Sequence, residues 1–125
     1  MQDQTHEKEP RLLVNTENGV LIVEIARRKI LDEISITQLG EDLNGLIERH
    51  AGGRMIINFA NVAHMSSSAL GMLITLHKRM CEKKGQLRLC NIQPSIYEVF
   101  VITRLNEIFN IQPSVPEAMK SFDKA

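Results

Sequence analysis

No stretch of this 125-residue chain approaches the roughly 20 consecutive apolar residues that a bilayer-spanning helix requires. Residues 1–10 are polar and contain no apolar signal-peptide core, so the expected location is the cytoplasm. The chain also lacks a net charge, because 15 basic residues cancel 15 acidic ones. It therefore sets up no global field that would gather nucleic acid or an anionic membrane, and neither is an expected partner. Cysteine is scarce. Cys81 and Cys90 are too far apart for a C-x-x-C pair, which removes a disulfide framework, and their apolar neighbours predict two buried thiols in a reducing compartment.

The motifs of common α/β cofactor chemistry are missing too. There is no G-x-x-x-x-G-K-[ST] and no G-x-G-x-x-G to cradle a nucleotide phosphate. The four histidines, His6, His50, His64 and His77, show no H-x-x-x-H spacing, and no Cys/His set matches a zinc site. The carboxylates are scattered, with no pair singled out for acid/base work. No cofactor, no metal and no catalytic residue is expected.

What remains has clear periodicity. Residues 11–16 and 20–26 are apolar runs separated by Glu17-Asn18-Gly19, and Asn-Gly is suited to a tight hairpin because both residues tolerate positive φ. Ser35 with Gln38 forms a capping box, flanked by Ile34 and Leu39 as a hydrophobic staple, so a helix is predicted to begin there. Ile36, Leu39, Leu43, Leu46 and Ile47 continue at helical spacing to Gly52-Gly53. Residues 55–60 are almost continuously apolar, as in a central parallel strand covered on both faces.

A polar connection, 61–65, leads to Ser66-Ser67-Ser68 and a long helix with Leu70, Leu73, Leu76, His77, Met80 and Cys81 on one stripe, closed by Lys83, Lys84 and Gly85. Residues 87–92 alternate like a strand. Pro94 then fits the first turn of a helix with Ile96, Val99, Phe100 and Thr103 on one face. Residues 108–111 are a candidate last strand, and Ser114, Pro116 and Glu117 announce a final helix carrying Ala118, Met119 and Phe122. Hairpin, helix, strand, helix, strand, helix, strand, helix implies an α/β fold: one domain over 11–125 behind a flexible tail of 1–10, with an N-terminal β-hairpin and mostly parallel strands in one sheet.

The serines admit two readings. One hydroxyl at a strand-to-helix junction is a preferred N-cap. Three in a row exceed what one cap needs, which leaves another hydroxyl free to carry a phosphate beside the positive end of the helix dipole. His64 near Ser67 raises nucleophilic catalysis, but the surroundings are not G-x-S-x-G and supply no orienting carboxylate.

Residues 58–71, with the helix after them, resemble the signature of the STAS family, in particular the bacterial anti-sigma factor antagonists. In that family a buried strand runs through a short loop to a D-S-S-G-L-G-like motif opening a long helix. Ser66-Ser67-Ser68-Ala69-Leu70-Gly71 aligns on Leu70-Gly71, with Ser66 in place of the aspartate and Ala69 in place of a glycine. The resemblance extends through the 87–91 strand and the 94–105 helix. It also places Leu31-Asp32 at the family's G-x-L-D, with Lys29 in place of the glycine.

The resemblance implies a binding module rather than an enzyme. Such a module binds an anti-sigma factor, commonly an ATP-using serine kinase, when unphosphorylated. It is switched off by phosphorylation of Ser67, with Ser66 and Ser68 as alternates, and is restored by a PP2C-type phosphatase. The implied contact surface is Asp32, His64, Ser66, Ser67, Ser68 and Met72. For Asp32 an ordinary turn role stands beside contact, and for His64 and Met72 ordinary exposure does. The same family also builds stress-signalling scaffolds and small subunits of lipid-transport ABC complexes, and a small serine hydrolase is the reading from a different class.

Overall fold

In the computed structural model, which describes residues 11–123, β1 (Leu12–Glu17) and β2 (Val20–Ile25) pair antiparallel from Leu12↔Ile25 to Glu17↔Val20. Asn18 and Gly19 take φ of 53° and 79°, both positive as a type I′ turn demands. The expected tail, 1–10, lies outside the described residues.

The main sheet continues with β4 (Arg54–Asn58), β6 (Gln86–Cys90) and β7 (Asn110–Gln112) in the order β1-β2-β4-β6-β7, parallel from β2 onward. Met55, Ile56 and Ile57 are all buried because both faces are covered. Leu21, Val23, Met55, Ile57, Leu87 and Leu89 meet α1 (Glu33–Arg49), α2 (Ser67–Glu82) and α3 (Pro94–Ile102) in the larger core. Val20, Ile22, Ile56 and Cys90 meet Ala118 and Phe122 of α4 (Val115–Asp123) on the other face. Arg88 helps to seat α4: its guanidinium lies 4.4 Å from the centre of the Phe122 ring while its Nε donates to Ser121 Oγ at 2.6 Å. Two parallel strands end where asparagines turn the chain. Asn58 Oδ1 accepts from Ala60 N at 2.9 Å, and Asn91, at φ 57°, donates from Nδ2 to Asn58 Oδ1 at 3.0 Å.

Several boundaries differ from the sequence expectation. α1 starts at Glu33, capped by Asp32 rather than Ser35, and Ile34 is exposed, so no staple forms. At the end of α2, Lys84 takes the left-handed conformation at φ 62°, not Gly85. Lys84 N donates to Cys81 O at 3.0 Å and Gly85 N to Met80 O at 2.9 Å, the paired bonds of a Schellman motif. On α3 only Ile96 and Phe100 are buried, while Val99 and Thr103 face outward. Residues 105–107 form a 3₁₀ turn that leaves Ile108 exposed, so the last strand begins at Asn110. Part of the supposed polar connection is itself a strand: β5 (His64–Met65) pairs in parallel with β3 (Lys29–Ile30), a two-stranded ribbon beside the main sheet.

The expectation of two buried thiols is corrected as well. Cys90 is buried, but Cys81 is exposed because it falls at the edge of the α2 stripe. Burial pushes the Cys90 thiol up to about 11, which suppresses the reactive thiolate. A thiol-disulfide reagent is therefore expected to titrate one cysteine per native chain, Cys81, and both in denaturant. Modification of Cys90 at a comparable rate without denaturant would contradict the packing of α4 on the sheet.

Candidate functional site

The ribbon gathers the functional candidates. Pairing of Lys29 with His64 and Ile30 with Met65, extended by Ala63 N to Arg28 O at 2.7 Å and Ser66 N to Ile30 O at 3.0 Å, holds the starts of α1 and α2 side by side. Asp32 leaves β3 to cap α1 just as Ser66 leaves β5 to cap α2. At its other end the α1–α2 pair is tied by Glu48, which takes Arg79 at 3.0 Å and Lys83 at 3.2 Å.

Asp32 Oδ2 accepts from Ser35 N at 2.9 Å. The Ser35 N–H and hydroxyl hold this exposed carboxyl below its ordinary value, since both bonds favour the anion. Ser66, in extended conformation at φ −91° and ψ 170°, accepts from Ala69 N at 3.3 Å. The capping reading of the cluster thus belongs to Ser66.

The other two hydroxyls differ from it and from each other. Ser68 Oγ donates to Glu33 Oε2 at 3.3 Å, across 35 residues of sequence. The first turn of α2 has no acid of its own, so the carboxylate beside its positive end is supplied by α1. Ser67 is the first residue of α2 and is exposed. The hydroxyls of its neighbours are engaged by Ala69 and Glu33, and among the described residues no hydrogen bond engages that of Ser67.

His64 is exposed at the edge of the ribbon and lines a cleft with Leu31, Met65, Leu70 and α3. Met72 is half-buried, and its Cγ would lie 3.1 Å from a Cβ placed on Gly40. The absence of a side chain at Gly40 is what lets α1 and α2 approach there. Asp32, His64, Ser66, Ser67 and Ser68 therefore share one surface, and Met72 sits behind it in the seam between the helices. Glu33 was not legible as a site residue, because its role arises from a contact between distant segments. The only local hint was its position after Asp32.

The chain belongs to the STAS domain family, whose model matches residues 11–118. It is 23% identical over 105 residues to the anti-sigma F factor antagonist of Paenibacillus polymyxa, covering 84% of this chain and 88% of that protein. An anti-sigma-factor antagonist (STAS) domain protein from Planctomyces limnophilus superposes with a TM-score of 0.77 at 21% identity, over 88% of this chain and 96% of that one. SpoIIAA of Bacillus in its phosphorylated form superposes with a TM-score of 0.64 at 17% identity, over 89% and 98%. These structural likenesses show the fold.

Proposed function

We propose that this protein is a cytoplasmic anti-sigma factor antagonist, a binding module rather than an enzyme. It would engage an anti-sigma factor of the ATP-using serine kinase kind through Asp32, His64, Ser66, Ser67 and Ser68, with Met72 supporting them. Phosphorylation of Ser67 by that kinase switches it off and so governs transcription, and a PP2C-type phosphatase restores it. The observation that carries the reading is the division of labour among the serines: Ser66 caps α2, Ser68 is tied to Glu33, and Ser67 stands exposed at the helix start with no hydrogen bond to its hydroxyl among the described residues. The name of the Paenibacillus relative and the existence of a phosphorylated form of SpoIIAA support it.

A phosphate on Ser67 adds close to two negative charges. The α2 dipole tolerates it, so the fold survives. A partner packed closely on the unmodified turn then has to make room for the bulk of the phosphate and strip its hydration, and about 1.4 kcal/mol is enough for a tenfold loss of affinity.

The test immobilises wild type, Ser67→Ala and Ser67→Asp and identifies what each retains from a lysate of the native cell. A kinase-like anti-sigma factor held by the first two, and held at least tenfold less by Ser67→Asp, is the expected result. Equal retention of transporter or scaffold proteins by all three would remove the anti-sigma reading.

A further inference from the structure

Beside the serine turn, an open cleft of about 280 Å³ runs between the ribbon and α3, lined by Leu31, Ala63, His64, Met65, Leu70, Ser95, Ile96 and Val99. Its rims are apolar and uncovered. Leu31 is 50% exposed on one side and Val99 40% exposed on the other; Ile102, outside the lining but three residues further along the same stripe of α3, is 79% exposed. Ile34, on the adjoining first turn of α1, is 70% exposed. Single exposed apolar residues are ordinary, but a group of them around a cleft marks an interaction site. The volume falls just under the roughly 300–1,000 Å³ of small-molecule pockets, and the open shape suits side chains on a protein surface.

Charge says what kind of chain fits. The extended run from Lys29 to Asp32 spans on the order of 10 Å and passes from exposed Arg28 and Lys29, through Leu31, to exposed Asp32 and Glu33. Among the described residues, the hydrogen bonds of the two carboxylates come from Ser35 and Ser68.

We infer that this cleft is the apolar half of the partner interface, and that its occupant is an amphipathic segment of the partner protein carrying lysine or arginine at the end that meets Asp32 and Glu33. The inference rests on the serine turn being a partner contact, and it adds where the binding energy comes from. Leu31 adjoins Asp32, and Met65 adjoins Ser66. A partner seated on the turn with a common footprint of roughly 800 Å² must also cover the cleft. The turn then supplies the switch and the cleft the apolar anchor, in keeping with interfaces whose energy is concentrated in a few buried side chains.

The experiment places the photo-crosslinking residue p-benzoylphenylalanine singly at three exposed positions of the full chain, expressed in its native cell. Gly71→p-benzoylphenylalanine samples the serine turn, since a Cβ there meets nothing within 4 Å. Ile102→p-benzoylphenylalanine samples the α3 stripe that continues from Val99 beside the cleft, and Lys120→p-benzoylphenylalanine on α4 is the background. The expected result is one protein captured from both Gly71 and Ile102, with the peptide attached at Ile102 amphipathic and basic at one end. Ile102→Glu is expected to lower capture from Gly71 at least tenfold.

Capture from Gly71 with Ile102 at background overturns the cleft and leaves the serine-turn reading standing. A second copy of this chain, or an acidic or wholly polar peptide, attached at Ile102 overturns the occupant. Background at all three positions overturns both readings.

Discussion

Phe100→Ala is expected to cost about 3–5 kcal/mol of folding stability, the range for truncating a large buried aromatic whose site cannot collapse. Phe100 is fully buried and meets Phe109 edge-on with centroids 5.9 Å apart, while Phe109 meets His77 in the same way at 5.3 Å. This chain of rings ties α3 and the following turn to α2. Only Ile96 and Phe100 of α3 are buried, so removing the larger leaves one anchor. In urea, the unfolding midpoint should fall with little change in slope. A loss below about 1 kcal/mol would mean that α3 is held by something other than this contact. Because Val99 and Ile102 ride on the exposed flank of α3, any variant that folds is also expected to bind its partner more weakly.

Gly85→Val is the second large effect, expected to cost about 3 kcal/mol. A Cβ at Gly85 would lie 2.5 Å from Met80 Sδ and 2.8 Å from Gly53 O. Met80 could turn its sulfur aside, but it is buried in the core. Gly53 O is backbone and accepts from Gln86 N at 2.9 Å, so it cannot retreat without opening the start of β6. The neighbouring position should respond with the opposite sign. Lys84 holds a left-handed φ that an L side chain disfavours by roughly 1 kcal/mol, so Lys84→Gly is expected to raise the urea midpoint. Destabilisation by Lys84→Gly would mean that the left-handed φ at Lys84 is not the strained conformation, and a neutral Gly85→Val would mean that the close approach of Gly53 O does not constrain Gly85.

These two residues show where local reasoning stops. Glycine after two lysines at a helix end is a familiar termination signal, and the helix does end there. Which residue turns left-handed, and which one lacks a side chain because a carbonyl passes close by, depends on Gly53, more than 30 positions away. The same limit appears at α1, where Ser35 and Gln38 satisfy the pattern of a capping box. Asp32 caps three residues earlier because ribbon pairing delivers the chain in extended conformation at that point. Strand β5 was not legible at all: two residues have no measurable period, and Arg28 and Ile30 decide their pairing.

At the site, the sequence alone placed a helix start at the serine cluster, and the resemblance singled out Ser67. Neither could distribute the hydroxyls. That distribution required Glu33, 35 residues from Ser68, and Glu33 reaches the serines only because two helix starts share one ribbon. The apolar cleft was hidden for the same reason. Val99 has helical spacing to Ile96 and Thr103, so periodicity assigns it to the core, but α3 turns only a narrow stripe inward.

The sequence by itself determined the α/β class, the order of the main-sheet strands and the helices, the buried stripe of α1, that of α2 apart from Cys81, and the Asn18-Gly19 hairpin. Each of these follows from local conformational preference or from a regular period of apolar residues. Only the tertiary structure decided which serine is free, which carboxylates stand beside it, which cysteine is exposed and which side of α3 meets solvent. Those properties belong to contacts between segments far apart in the chain, and no local preference encodes them.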